Sequence, residues 1–176
     1  MGLPSLPGPS NGDYAVNTNV VRAGNQCYAL VEGGPFPVEF SYELESIARS
    51  NLGGLSRGFS AHPKRDPATG ELHALAYQPG QPDVQYIVVG IDGIATVRCE
   101  ISLPHMPQIH DIALTASSVI ILDLPVTFQP KSNGPSSFPY LWNEQQEARV
   151  GLLPRSGEIQ NSIQWFQAPD AGCFTS

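Results

Sequence analysis

GELHALAYQPGQPDVQYIVVGIDGIATVRCEISL, residues 70–103, carries three apolar runs, Glu71–Tyr77, Val84–Asp92 and Ala95–Leu103, set apart by Gln-Pro-Gly-Gln-Pro and by Asp92-Gly93. The runs are short, rich in Val, Ile, Tyr and Leu, and bounded by glycine, proline and aspartate, the composition and punctuation of β-strands. The same texture extends outward on both sides. Tyr14–Val21, Gln26–Glu32 and Val38–Leu44 precede it, and Ile109–Thr115, Val119–Leu124, Ala148–Pro154 and Ser162–Gln167 follow. No window sustains a helical period with caps. Ser41–Arg49 offers one helical turn, but the overlapping Val38–Leu44 alternates about as well. The fold class is all-β.

Spacing narrows the class. Tyr28-Ala29-Leu30, His73-Ala74-Leu75 and Ile120-Ile121-Leu122 each sit in a strand that follows a turn; Ala29 and Ala74 lie 45 residues apart, Ala74 and Ile121 47. The next strand repeats as well, with Val38 and Val84 46 apart and the third counterpart near Arg149, delayed by the loop Gln129–Glu147. A period of about 40–50 residues holding four strands is that of a β-propeller blade. Three blades cannot close a ring, because propellers need about four to eight. Residues 14–176 are therefore expected to form a partial β-propeller of about three four-stranded blades, behind a disordered proline-, glycine- and serine-rich leader at residues 1–13.

Composition removes whole classes of function. Of 176 residues, 16 are acidic and 9 basic, a net charge of −7, while 41% are hydrophobic and only 14% charged. That excludes a wholly disordered chain, and the lack of a basic stripe excludes a nucleic-acid partner. The 17 glycines and 17 prolines demand frequent turns. Cys27, Cys99 and Cys173 are scattered without a CxxC spacing, so they are expected as reduced thiols in a cytoplasmic protein. The longest apolar runs fall far short of the ~20 residues that span a bilayer. Met1–Asp13 has neither the basic nor the apolar part of a signal peptide. There is no GxSxG, phosphate loop or HExxH.

Chemistry then rests on the four histidines, His62, His73, His105 and His110. Taken singly, each reads as an exposed or hydrogen-bonded imidazole. Register separates two of them: His62 lies 12 residues before Ala74 and His110 lies 11 before Ile121, so they lead the first strand of consecutive units, 48 residues apart. First strands of a propeller line its axis, where two imidazoles can meet and ligate a first-row metal. His73 and His105 lie outside this register and are expected at the rim or surface, with a supporting or substrate-lining role for His105 left open. Glu32 is either a solvated strand end or a carboxylate that orients an imidazole by accepting the proton of its non-ligating nitrogen. Asp111 points away from His110 and is expected to be structural.

Asn17-Thr18-Asn19-Val20-Val21, Ala29-Leu30-Val31-Glu32-Gly33-Gly34, Ser60-Ala61-His62-Pro63-Lys64 and Asp66-Pro67-Ala68-Thr69-Gly70-Glu71-Leu72 resemble the carotenoid cleavage oxygenase family. So do Pro107-Gln108-Ile109-His110-Asp111, Ile121-Leu122-Asp123-Leu124-Pro125-Val126, Val150-Gly151-Leu152-Leu153-Pro154-Arg155 and Gln164-Trp165-Phe166, in the family's order over Asn17–Phe166. The resemblance implies a seven-bladed propeller with Fe(2+) on its axis held by four histidines. It makes His62 and His110 the first two ligands, with Glu32 bonding the non-ligating nitrogen of His110. It implies cleavage of a carbon–carbon double bond in a carotenoid, apocarotenoid or stilbene by O2, giving two carbonyl products. It also implies an apolar tunnel for that substrate and peripheral membrane contact in the full-length protein.

The chain departs from the family in length. The third ligand is expected near Thr175, where the sequence reads Gly172-Cys173-Phe174-Thr175-Ser176, and the fourth lies beyond. The expectation is an internal fragment carrying two of four ligands, inactive or nearly so alone. A competing expectation is a non-catalytic propeller fragment that self-associates through exposed blade edges. A calcium-dependent hydrolytic propeller is disfavoured, since the in-register positions are imidazoles and Ca²⁺ prefers oxygen.

Overall fold

The structure, a computed structural model, describes residues 16–129, 139–157, 159 and 162–168. The leader at residues 1–13 and Cys173 lie outside the described residues. Among those described there is no helix, and none therefore long and apolar enough to cross a membrane.

Three four-stranded antiparallel sheets hold most of the strand residues among those described. The first holds β1 (Asn19–Ala23), β2 (Gln26–Leu30), β3 (Val38–Phe40) and β4 (Ser46–Arg49) in chain order. The second holds β5 (Lys64–Arg65), β6 (Leu72–Ala76), β7 (Asp83–Val89) and β8 (Ala95–Ser102), again in chain order. The third is built from β9 (Ile112–Leu114), β10 (Ser118–Asp123), β13 (Arg149–Pro154) and β14 (Gln164–Gln167). A separate hairpin, β11 (Val126–Phe128) with β12 (Tyr140–Trp142), interrupts it between β10 and β13. Ala29, Ala74 and Ile121 fall in the second strand of their sheets, as the 45- and 47-residue spacings require.

One open alternative is decided and one expectation needs correction. Ser41–Arg49 forms no helical turn: a tight turn in which Leu44 takes φ 64° leads into β4, whose backbone groups are paired with β3. The delay in the third unit is not a plain loop either, because it contains β12, paired residue for residue with β11.

The core lies between blades. Leu72, Ala74 and Ala76 of β6 join Ile87 and Val89 of β7 against Leu30, Phe36, Leu52, Leu55 and Phe59 of the first blade. Leu75 and Tyr77 join Val84 and Tyr86 against Ile112, Val119, Ile121 and Leu153 of the third. Every residue of β6 is buried, because alternate side chains point to opposite faces and both faces are covered. Strand β8 serves both cores by a bulge: Tyr86 pairs with Cys99 but Ile87 with Val97, leaving Arg98 as the extra residue. That slip turns Ala95 and Val97 toward the first blade and Cys99 and Ile101 toward the third. On the far face of the third blade, Leu122, Val150 and Phe166 line up in register, with Leu122 and Phe166 exposed.

His73 corrects a further expectation. It is buried in β6, not at the surface; its Nδ1 lies 2.7 Å from the Tyr86 hydroxyl and its Nε2 3.2 Å from Arg155 Nη2. Arg155 reaches across from the third blade to Asp66 of the second, and also donates to the carbonyls of Thr115 and Ala116. The Arg155 guanidinium and the Ala68 N–H hold the Asp66 carboxyl well down, from 3.8 to about 2. Burial, then the Arg155 charge, pushes His73 below its ordinary 6.5.

Both shifts have the same sign for stability. The folded state keeps Asp66 ionised and His73 neutral, so the unfolded chain binds more protons on acidification. Folding is expected to weaken progressively below pH 6.5 through His73, and again as pH falls from 3.8 toward about 2 through Asp66. In thermal melts, Arg155→Gln is expected to lie below wild type at pH 7, with the gap closing toward pH 2 as Asp66 protonates. A gap independent of pH would contradict the ion pair. A second expectation concerns Gly58: a Cβ there would stand 1.4 Å from the Gly34 carbonyl oxygen. Gly58→Ala should cost about 3 kcal/mol, the upper part of the overpacking range, read from the denaturant midpoint; a change under about 0.5 kcal/mol would show no such contact.

Candidate metal centre

The segments that lead into the inner strands converge. His62 stands two residues before β5 and His110 two residues before β9, and β5 and β9 lie side by side. Pro63 biases His62 toward extended backbone, and the neighbouring contacts fix the segment. The Asn19 side-chain amide donates to the Ala61 carbonyl at 2.9 Å, Ala61 is fully buried, and the His62 N–H donates to Ser60 Oγ at 3.3 Å. His110 follows Ile109, which is buried in the core between the second and third blades. The result is two imidazoles with ring centroids 4.5 Å apart, inclined at 53°.

Glu32 closes the group. It stands two residues beyond β2, at the head of the turn through Gly33 (φ 80°) and Gly34 (φ 104°). Gly34 is demanded twice: a Cβ would lie 2.9 Å from Gln78 Cγ and 3.1 Å from the Tyr77 carbonyl, at a φ that side chains avoid. The Glu32 Oε2 atom lies 3.5 Å from His62 Nε2 and 3.6 Å from His110 Nδ1. Those separations are too long for hydrogen bonds. Both Glu32 carboxylate oxygens and His62 Nε2 are buried without a hydrogen-bond partner. The Tyr77 hydroxyl stands beside the carboxylate and favours its charged form, short of full hydrogen-bond geometry.

Such orphaned polar atoms are costly and point to an absent cation. One donor atom from each of Glu32, His62 and His110 lies within 4.8 Å of the others. Two imidazoles suit a ferrous ion with open positions, and a carboxylate beside them favours a cation, so the residues present fit the metal the resemblance implies. Electrostatics agree. Burial raises the Glu32 carboxyl above its ordinary value, although Tyr77 and then His110 oppose the rise. Burial, then the His110 charge, lowers His62, leaving it a neutral imidazole with a free lone pair.

The remaining residues sort out around this centre. Asp111 accepts from Lys64 Nζ at 2.7 and 3.0 Å, a tie between the lead-ins of the second and third blades beside the two histidines. Burial would raise Asp111, but Lys64 and the Ile112 N–H outweigh it and leave it lowered. His105 is half-buried and paired instead of freely exposed. Its Nε2 lies 2.7 Å from Oδ1 of the buried Asp123, whose Oδ2 accepts from Arg149 Nε at 2.9 Å and Nη2 at 2.5 Å. Cys99 is buried, which pushes its thiol up and away from thiolate chemistry. Tyr77 was visible in the sequence only as a strand end; nothing there placed its hydroxyl beside Glu32.

The profile of the family described as retinal pigment epithelial membrane protein matches residues 7–176. A carotenoid cleavage oxygenase of Mycobacterium tuberculosis is 34% identical over 207 residues, covering 93% of this chain and 41% of the relative. A carotenoid 9,10(9',10')-cleavage dioxygenase 1 of Arabidopsis thaliana is 36% identical over 171 residues, covering 93% and 31%. Among solved structures, the Pseudomonas brassicacearum lignostilbene dioxygenase superposes with a TM-score of 0.77 at 27% identity, over 91% of this chain and 34% of that one. The chain thus spans well under half the length of these relatives. With its all-β blades and its profile match over nearly the whole sequence, this chain belongs to the carotenoid oxygenase family.

Proposed function

We propose that this chain is the part of a cytoplasmic non-haem iron(II) dioxygenase that supplies two of its metal ligands, His62 and His110. The reaction is cleavage of a carbon–carbon double bond in a carotenoid, apocarotenoid or stilbene. One O2 is consumed and each alkene carbon ends as a carbonyl, so the atoms balance without a further reductant. The relatives named for carotenoid and lignostilbene cleavage support the substrate class, an apolar conjugated chain. The observation that carries the reading is the meeting of His62 and His110, 48 residues apart in sequence and 4.5 Å apart between ring centroids.

Each residue has a definite task. His62 offers the lone pair of Nε2, the atom left without a partner. His110 turns Nδ1 toward Glu32, so a proton held there leaves Nε2 as its donor. Glu32, 3.6 Å from Nδ1, favours the proton there by its charge and would offset part of the charge at the centre. Ferrous iron, held by His62 and His110, would supply the one-electron chemistry that O2 requires. Two imidazoles and a supporting carboxylate hold a metal weakly, and further ligands belong to other parts of the full-length protein. The 176 residues alone are therefore inactive or nearly so.

A second reading, a non-catalytic fragment that self-associates, draws on the row of Leu122, Val150 and Phe166 on the third blade, exposed at Leu122 and Phe166. Size that grows with concentration in light scattering, without bound metal, would favour it.

Anaerobic titration of the purified chain with Fe(II) tests the first reading. Weak binding is expected, lost in both His62→Ala and His110→Ala, with no cleavage of a stilbene or apocarotenoid. Unchanged iron affinity in either variant would sink the ligand assignment. Tight stoichiometric iron with turnover would overturn the inactivity of the isolated chain.

A further inference from the structure

We infer that His105 and Asp123, with the hairpin β11–β12, form a clamp that positions His110; the inference rests on His110 being a metal ligand. The segment from Pro104 to Ile109 that delivers His110 has no strand of its own, yet it is tied down along its length. The Met106 N–H donates to the Leu103 carbonyl at 2.8 Å, closing a turn in which Met106 takes φ 51°. A side-chain-bearing residue holds that conformation only where its surroundings over-determine it. Here they do. The Phe128 N–H donates to the Met106 carbonyl at 3.0 Å, the Gln108 N–H donates to the Val126 carbonyl at 2.8 Å, and Pro107 bridges to Thr127. Strand β11 is thus a splint for the lead-in, and β12 backs it through three paired residues.

His105 supplies a polar side-chain anchor into the blade itself, beside the apolar anchor of the buried Ile109. Its Nε2 meets Asp123 Oδ1 at 2.7 Å, and the Asp123 side chain is 0% exposed. Two N–H groups of Arg149 hold the other carboxylate oxygen, and the Arg149 guanidinium lies 4.2 Å over the Trp165 ring centroid. Trp165 can lie there because Gly151 has no side chain: a Cβ would stand 2.8 Å from the indole ring. A buried carboxylate with both oxygens engaged is a rigid post. Asp123 ends β10, the strand against which β9 is paired, so the post and the strand that follows His110 share one sheet. His110 itself is 60% exposed on its side chain and makes few contacts of its own, so its position depends on the segment that carries it.

Outer groups that orient a metal-bound imidazole are worth about 10–100-fold in metal affinity. The test uses the full chain, Co(II) as a redox-inert probe, and two polar replacements. The Gln amide nitrogen stands where the imidazole Nε2 stands, whereas the Asn amide is too short to reach Asp123. His105→Asn is expected to weaken Co(II) binding about tenfold, and His105→Gln to stay near wild type. Amide hydrogen exchange at Gln108 and Phe128 should accelerate in His105→Asn alone, with β6 and β7 amides unchanged. Equal Co(II) affinity in the two variants, whatever their melting temperatures, overturns the clamp. His110→Ala in the same titration separates the two claims. If it leaves Co(II) binding intact, the ligand assignment itself fails; if it removes binding while His105→Asn matches wild type, only the positioning role falls.

Discussion

Strand β6 is covered on both faces, and the location of the candidate metal centre follows from that packing. Leu72, Ala74 and Ala76 lock it to the first blade, and Leu75 and Tyr77 lock it to the third. With three blades wedged side by side in this way, their inner edges approach one another. Segments that lead into β5 and β9 are then forced together, although nearly fifty residues separate them in the chain. Small residues matter as much as large ones here. Ala74 is fully buried, and Gly58 lies so close to the Gly34 backbone that no side chain fits. Close approach of blades is the condition for a shared ion.

Three buried or half-buried carboxylates show how the molecule treats charge. Asp66 is paired with Arg155 and accepts from the Ala68 N–H. Asp123 is paired with Arg149 and His105. Glu32 has no such partner: its neighbours are two imidazoles beyond hydrogen-bond reach and a tyrosine hydroxyl. A carboxylate left this way costs free energy in the metal-free chain, which is the condition under which a bound cation contributes most. The first two carboxylates tie blade to blade and loop to blade. The third waits on a ligand.

The histidines divide along the same line. His62 and His110 share a register and meet; His73 and His105 do not, and each is spent on a buried polar network. His73 is buried against the surface expectation and His105 is more covered than expected, because the sequence shows only that they are out of register, not what covers them. His73 sits in a strand buried on both faces, where an imidazole must find partners, and Tyr86 and Arg155 provide them from different blades. His105 lies in a proline-flanked loop that reads as surface until Asp123 and the inserted hairpin are placed beside it. Family membership accounts for the fold, but the chemistry is argued from the site, since one fold carries many activities.

From the sequence alone came the all-β class, the blade period, and the register that singled out His62 and His110. These are properties of local pattern: strands alternate, turns need glycine and proline, and a repeating unit must repeat its buried positions. Only the tertiary structure decided that β8 changes faces at Arg98, that β11 and β12 splint the approach to His110, and that Glu32 stands unpaired between two rings. Those features arise from contacts between residues far apart in the chain. A bulge, a hydrogen bond across blades or an unsatisfied carboxylate leaves no periodic trace in the order of amino acids; each exists only once packing has brought its partners together, or has failed to.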